Sequence, residues 1–367
     1  MKVLHVITGL AAGGAETQLR LLLRHSRMDA DVVALYNAGV VAEQLRRDGV
    51  PVTDLAMRSN RQVGAVLELA GLMRQGRYDV VHTHLYRACL YGRVAARMAG
   101  VPRIVATEHS LLDDQLEGRP ATRGVRMLYL AGERFGQLTI AVSQAVRTNL
   151  LRWGVAPDRV VCIPNGLDLA ALTFDGRKRA AVRAALGIPS DAQVVGAVGR
   201  LHEGKRFDEL IAAVAPSLCP ARRLVIVGEG PARSGLEAAA ARAGVADLVH
   251  LVGERPVAPH LSAMDVLVSP SVYETFGLAV LEGLANGLPV VYRRCPALDE
   301  LPAAPAAAVR LGPATDLRAA VEDVLGRARD ERTAPVELGR FDVREVAAAV
   351  DDVYARAPVG GSVRATC

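Results

Sequence analysis

Two carboxylates eight residues apart, Glu274 and Glu282, stand in the segment SVYETFGLAVLEGLANG, Ser271–Gly287. A carboxylate accepts hydrogen bonds from paired hydroxyls, so this pattern suits sugar and ribose recognition. The preceding apolar run, Val266–Ser271, reads as a strand, and a helix is predicted to begin near Thr275–Phe276 and run to Ala285. The first N–H groups of that helix, on Phe276, Gly277 and Leu278, have no intrahelical acceptor and lie at the positive end of the helix dipole. They would form a seat for a diphosphate, with Gly277 allowing close approach to the backbone. Glu274 precedes the seat, where a transferred sugar would lie. Glu282, two helical turns on, is expected on nearly the same helix face and can reach a ribose diol. The plainer reading is an acidic cap followed by a helix Glu, but a carboxylate beside apolar Gly283–Ala285 needs a partner if buried.

A second group is GAVGRLHEGK, Gly196–Lys205. Arg200 and Lys205 share one loop at the end of a predicted strand, where two cations can neutralise a leaving diphosphate. Lysine is scarce: Lys2, Lys178 and Lys205 are the three in a chain with 44 basic residues, which singles out Lys205. Either cation alone would also serve as ordinary surface charge. In Thr8–Glu16, TGLAAGGAE, Gly13 and Gly14 permit a tight turn between a first strand and its helix, and close approach of a ligand to the helix start. The stretch is neither the dinucleotide G-x-G-x-x-G pattern nor a P-loop. His109, in TEHS at the end of a strand, is a candidate for hydrogen bonding a sugar or handling a proton. His82 and His84 also end a strand and can line an acceptor side or act as caps.

These groups need strands and helices to hold them, and the sequence supplies a βαβα rhythm. Short β-branched runs at Val3–Thr8, Asp31–Leu35, Pro51–Leu55, Asp79–His84, Arg103–Glu108, Thr139–Ser143 and Val160–Pro164 alternate with amphipathic stretches such as Glu16–Met28 and Arg61–Gln75. The rhythm pauses at Asn165–Arg177. It resumes with strands at Gln193–Gly199, Arg223–Glu229, Val249–Gly253, Val266–Ser271 and Pro289–Arg293, separated by helices at Phe207–Val214, Pro231–Ala243, Val257–Ala263 and Phe276–Ala285. Strands apolar on both faces call for parallel sheets covered by helices on both sides. The expectation is an α/β protein of two doubly wound, Rossmann-like domains, residues 1–166 and 167–340, facing a cleft at the carboxyl ends of their strands. Residues 341–367 would add a helix, Phe341–Ala357, and a tail.

At 367 residues the length fits two domains of about 150–200 residues each. With 51% hydrophobic and 23% charged residues the chain has a globular composition. No apolar run approaches the ~18–20 residues that span a bilayer, and the N-terminus reads as a strand rather than a signal peptide, so a cytoplasmic protein is expected. Five dispersed cysteines, Cys89, Cys162, Cys219, Cys295 and Cys367, form no C-x-x-C pair, which argues against a disulfide framework or structural zinc and for small buried side chains. Residues 1–166 hold 21 Arg/Lys against 14 Asp/Glu, net +7, and the remainder 23 against 25, net −2. The first half therefore suits a phosphate-bearing acceptor or an anionic membrane surface, with solvated surface charge as the plain alternative. The segment Arg119–Phe135, where arginines alternate with apolar residues, permits peripheral membrane contact, and equally reads as a core helix with surface arginines. No basic cluster is interleaved with aromatics, so no nucleic acid is expected.

Together the motifs resemble those of family-4 retaining glycosyltransferases, which have the two-domain GT-B fold. The resemblance rests on ITGLAAGGAE (Ile7–Glu16), TEHS at His109, VSQAVRTNL (Val142–Leu150), IPNGLD (Ile163–Asp168), VGRLHEGK (Val198–Lys205), VIVGEGP (Val225–Pro231), LVG (Leu251–Gly253) and SPSVYETFGLAVLEGLANGLPVV (Ser269–Val291), in family order over most of the chain. It implies that Arg200 and Lys205 hold the donor diphosphate, Glu282 the ribose, Glu274 the donor sugar and His109 the region of its 6-position. Gly14 would let the first domain approach the donor phosphate, and Leu251–Arg255, Gly253 included, would offer backbone groups to the base. It further implies a nucleotide-sugar co-substrate, UDP-sugars being the commoner choice and GDP-sugars the alternative, with no obligatory cofactor, metal or covalent nucleophile. The acceptor would be a hydroxyl of a glycan, a polyprenyl-phosphate-linked molecule or a small molecule. The terminal helix would cross back to the first domain. The sequence departs from the family at Tyr292–Pro302, YRRCPALDELP, where a glycine-containing turn is usual, so Glu300 is not counted among the site residues. A nucleotide-sugar epimerase or a non-catalytic sugar-nucleotide-binding protein are the competing readings.

Overall fold

The computed structural model describes residues 1–59, 62–312, 315–327 and 332–357. The chain divides into two compact units, one formed by Met1–Leu167 with the chain from Phe341 onward, the other by Asp168–Arg340.

In the first unit seven parallel strands run, edge to edge, Val52–Asp54, Asp29–Ala34, Lys2–Ile7, Val80–His84, Arg103–Glu108, Leu138–Ala141 and Val160–Cys162. The strand order reverses between Lys2–Ile7 and Val80–His84, which pair in register from Val3 with Val80 to Ile7 with His84. Both faces of this sheet are buried, as a doubly wound sheet requires. Leu4, Val6 and Val81 point to one core with Leu69, Met73, Ala95 and Ile104. Val3, Val80 and Val105 point to the other, where they meet Val346, Val350 and Tyr354 of the C-terminal helix Val343–Arg356.

That helix is tied to the first unit by hydrogen bonds as well as by apolar packing. Asp342 caps it, accepting from Arg344 N at 2.9 Å. Asp351, buried, accepts from Ser26 Oγ at 2.7 Å and Arg27 N at 2.9 Å. Arg103 Nε donates to Ala357 O at 3.0 Å.

The second unit has a six-stranded parallel sheet, in order Val249–Leu251, Arg222–Val227, Gln193–Val198, Val266–Ser269, Val290–Tyr292 and Ala308–Arg310. Its order reverses between Gln193–Val198 and Val266–Ser269, so the two loops leaving those strands stand at the switch point, where open α/β sheets place ligands. The sixth strand, three residues long, lies in a Pro/Ala-rich stretch, Pro302–Pro313, whose sequence carries no strand signal. The pause expected at Asn165–Arg177 contains a helical turn, Leu169–Leu172, and the start of a helix, Gly176–Ala185. Asp175 caps the latter by accepting from Arg177 N at 2.8 Å and Lys178 N at 3.2 Å.

Cys89 and Cys295 are buried, as expected of small apolar side chains, whereas Cys219 is exposed and Cys162 half-buried. Cys367, Arg61 of the stretch Arg61–Gln75, Pro313 and the tail beyond Ala357 lie outside the described residues. Among the described residues no helix is long and apolar enough to cross a membrane.

Candidate active site

In the second unit the loops leaving the two switch-point strands meet. Lys205, at the end of a single helical turn Glu203–Lys205, makes an ion pair with Glu274. Both side chains are largely shielded from water, Lys205 at 29% and Glu274 at 14% exposure, which strengthens the pair relative to one on the surface. Ser271 Oγ ties the same two loops together by donating to Gly204 O at 3.2 Å. Arg200, by contrast, is exposed and has no hydrogen-bond or ion-pair partner among the described residues. The loop after Gln193–Val198 therefore holds one engaged cation and one uncommitted cation, the engaged one paired with a carboxylate from the loop of the adjacent strand.

The backbone around them is closely packed. Gly199 N donates to Val227 O at 3.0 Å, Leu201 N to Glu229 O at 2.9 Å and Gly228 N to Gly253 O at 2.9 Å, so three consecutive strand-end loops are laced edge to edge. Gly228 has φ +141°, and a Cβ there would run into the carbonyl of Gly199. Gly253 has φ +75° and stands beside the Glu229 carboxylate. Glu229 and Arg233 pair at 2.9 Å, and Arg233 Nη2 donates to Leu251 O at 3.0 Å, which fixes the loop that includes Gly253.

The helix that follows Glu274 starts later than the sequence predicts. It spans Leu278–Ala285, with Gly277 as its cap at φ +99°. A left-handed residue cannot continue a right-handed helix, so Thr275 and Phe276 remain in the loop. A Cβ on Gly277 would collide with the buried Cys295 side chain. The helix-start amides are consequently those of Leu278 and Ala279, since the first intrahelical bonds are Val280 N to Gly277 O at 3.1 Å and Leu281 N to Gly277 O at 3.3 Å. Phe276 stands two residues before the helix and does not belong to the amide seat. Glu274 is not helical either, so the shared helix face expected of Glu274 and Glu282 does not arise.

Glu282 is on the helix and only partly exposed. Loss of water around its carboxyl raises it from the usual carboxylate range to about 7. No protein group among the described residues donates to that carboxyl. A desolvated acceptor without a partner is what a ligand diol would satisfy.

In the first unit Gly13 and Gly14 lie at the start of the helix Gly14–His25. Gly13 is extended, φ −164°, so the turn does not demand a left-handed residue there. A Cβ there would meet the Glu16 carboxylate folded back over it, the end of a flexible side chain that can swing aside. His109 follows the strand Arg103–Glu108 and is half-buried, with Nε2 at 3.4 Å from His84 Nδ1. His82 and His84 are fully buried within the strand, so neither is a cap nor an open acceptor surface.

The departing segment Tyr292–Pro302 forms a short helix, Pro296–Asp299, and anchors itself to the second unit from two sides. Arg293 pairs with Glu209, which also receives Arg206 at 3.4 Å. Cys295 Sγ lies 3.4 Å from Phe276 O, and Ala297 N donates to Phe276 O at 3.0 Å. This support for the Gly277 loop was missed in the sequence, as were Ser271 and the Glu229–Arg233 clamp. The i, i+4 spacing of Glu229 and Arg233 was the one available signal.

Residues 12–171 match the family model described as Glycosyltransferase Family 4, and residues 192–327 the one described as Glycosyl transferases group 1. A curated relative, D-inositol 3-phosphate glycosyltransferase of Stackebrandtia nassauensis, is 35% identical over 268 residues, 66% of this chain and 59% of the relative. The chain thus spans about three-fifths of the length of that protein. Among solved structures, that of Anabaena Alr3699/HepE in complex with UDP-glucose has a TM-score of 0.82 at 22% identity, covering 97% of this chain and 99% of the other. Sucrose-phosphate synthase of Thermosynechococcus elongatus has a TM-score of 0.76 at 20% identity, covering 97% and 99%. At these identities the likeness establishes the fold, which is GT-B, with two Rossmann-like units.

Proposed function

The chain belongs to glycosyltransferase family 4, and from that premise we propose that it moves a sugar, with retention of configuration, from a nucleotide diphosphate donor to an acceptor hydroxyl. The observation that carries this reading is the Lys205–Glu274 ion pair at the switch point of the second unit, with Arg200 uncommitted beside it. The ammonium of Lys205 is preorganised and neutralised while no anion is present. An arriving diphosphate competes for it, draws in Arg200, and releases Glu274 to accept from hydroxyls of the donor sugar.

As the bond between the anomeric carbon and the phosphate oxygen breaks, charge accumulates on the leaving diphosphate. Two cations and the amides of Leu278 and Ala279 oppose that charge, so their contribution is greater in the transition state than in the ground state. The leaving phosphate oxygen takes the proton of the acceptor hydroxyl as that oxygen attacks the same face, so atoms and charge balance without a covalent nucleophile. Glu282 accepts from the ribose diol, and the laced loop around Gly253 presents backbone groups to the base. The family resemblance assigns His109 to the sugar and Gly14 to the donor phosphate.

UDP-sugars are the favoured donors, in line with the UDP-glucose bound by the Anabaena neighbour, with GDP-sugars as the alternative. The acceptor is a phosphate-bearing hydroxyl compound, which suits the net positive first half and the name of the Stackebrandtia relative. The helix Arg123–Glu133 presents Met127 (71% exposed) and Leu128 (52%) outward, next to Phe135 (42%), with the exposed Arg123 and Arg134 around them. That face favours peripheral contact with an anionic membrane on the cytoplasmic side, where a lipid-linked acceptor would be met.

The test is a thermal-shift screen against UDP-, GDP- and ADP-sugars. Binding raises the melting temperature by mass action, and Lys205→Ala should abolish the rise given by the preferred donor. A full shift in that variant would place the donor elsewhere.

A further inference from the structure

The first unit contains three buried histidines, His5, His82 and His84, that the reading above does not use. His82 and His84 are two residues apart on one strand, so both point to the same face. The sheet register sets His5 opposite His82 on the neighbouring strand. The face is the one closed by the C-terminal helix, and all three rings are at most 2% exposed.

The side chains form two hydrogen-bond chains. In one, His5 Nδ1 lies 3.0 Å from His84 Nε2, and His84 Nδ1 lies 3.4 Å from His109 Nε2, the weaker link. In the other, His82 spans from Thr107 Oγ1 at 2.7 Å to the Tyr354 hydroxyl at 2.6 Å. The rings of His82 and His84 lie 4.1 Å apart between centroids, so the second chain holds the first in place.

Nitrogens of His5, His82 and His84 lie within 4.8 Å of one another, as metal ligands would. Both ring nitrogens of His82 and of His84 are already engaged, however, and a metal would have to displace Thr107, Tyr354, His5 or His109. The arrangement is a filled hydrogen-bond network rather than a coordination site.

A neutral imidazole has one N–H and one lone pair. Burial holds all four rings neutral at ordinary pH: His5 is lowered to about 3, His109 to about 4, and His82 and His84 well below the usual value. The chain from His5 through His84 to His109 is therefore directional: in either sense in which it runs, the tautomer of each ring dictates that of the next.

We propose that His84 and, behind it, His5 are positioning residues that fix the tautomer and ring orientation of His109. This role rests on the reading of His109 as a residue that touches the donor sugar. His109 would then meet the sugar with one defined hydrogen-bonding character, and the energy of orienting it would be spent on folding rather than during turnover.

The full chain, labelled with ¹⁵N-histidine, tests this by NMR. Wild type should show His109 as a single neutral tautomer. In His84→Phe, which keeps an aromatic ring, a somewhat larger one, and removes both nitrogens, His109 should shift to a mixture of tautomers, and kcat should fall about tenfold, the effect of one lost hydrogen bond. The KM for the donor should hold. His84→Asn places a polar atom where Nδ1 was and should restore both readouts. His5→Leu leaves His84 in place, serves if the Phe variant does not fold, and should disturb His109 through the intervening ring.

An unchanged His109 tautomer in these variants overturns the relay. A changed tautomer with unchanged kcat overturns its role in turnover and leaves the donor site at Lys205 standing. If His109→Ala turns over like wild type, His109 does not touch the sugar, and both that assignment and this inference fall, whatever the spectra show.

Discussion

Glu282 holds its proton more tightly in the folded chain than in the unfolded one, and the sign of that difference can be measured. Its carboxyl is raised from 4.5 to about 7 by desolvation. Between those values the native state binds more protons than the unfolded state, so stability falls as pH rises through the window and stays lost above it. Glu282→Gln should therefore melt a few degrees above wild type at pH 8 and level with it near pH 4, while losing donor-induced stabilisation at both. An equal difference at the two pH values would show that the carboxyl is well solvated. At the ion pair, Glu274→Gln frees Lys205, so a bare nucleoside diphosphate should bind as tightly as before or more so, while kcat for transfer drops 10²-fold or more, as for a lost transition-state contact. Steady-state kinetics with a competing diphosphate separates the two effects. The residues of this site were legible by type and spacing. Their contacts were not: Glu274 and Lys205 are 69 positions apart, and no local pattern states that they touch.

At the scale of elements, the strand-end loops of the second unit are laced through glycines. Gly228→Ala would combine φ +141° with a collision against the carbonyl of Gly199, backbone that cannot rotate away. Gly49 in the first unit also has positive φ, +86°, but open space around it. Gly49→Ala should cost about 1 kcal/mol, the conformational term alone, and Gly228→Ala clearly more, ~2–4 kcal/mol with loss of donor binding. Chemical denaturation of both variants checks the contrast. Comparable losses would mean that the loop relaxes around the new methyl group. Sheet strands were legible where β-branched runs of about six residues recur, as at Lys2–Ile7 and Arg103–Glu108. The edge strand Ala308–Arg310 was not, because three residues among prolines and alanines carry no periodicity. The start of the helix Leu278–Ala285 was misplaced by two residues because Gly277 was read for the ligand it admits rather than for its left-handed backbone.

For the molecule as a whole, the C-terminal helix is part of the first unit's core although it follows the second unit in the chain. Val346, Val350 and Tyr354 cover Val3, Val80 and Val105, and Tyr354 partners His82. A chain ending at Arg340 should expose that apolar face and lose cooperative melting of the first unit, while the second unit, complete within Asp168–Arg340, keeps its transition. Calorimetry of the truncated chain should show one surviving peak; two intact peaks would mean that the helix is dispensable. The exposed face of Arg123–Glu133 gives a second expectation at this scale. Co-sedimentation with anionic vesicles should be present at low salt, fall as salt rises, and weaken in Met127→Ser/Leu128→Ser; binding equal to neutral vesicles would dismiss it. The sequence alone determined the α/β class, the two doubly wound sheets and the residue types of the candidate site, because continuous β-branched runs, helix faces and turn glycines are local properties of the chain. Tertiary structure alone decided that Lys205 pairs with Glu274, that Cys295 sits beneath Gly277 and that His5, His84 and His109 join in one hydrogen-bonded chain. Those facts depend on which strands become neighbours, and neighbours in a parallel sheet are separated in sequence by whole crossover connections.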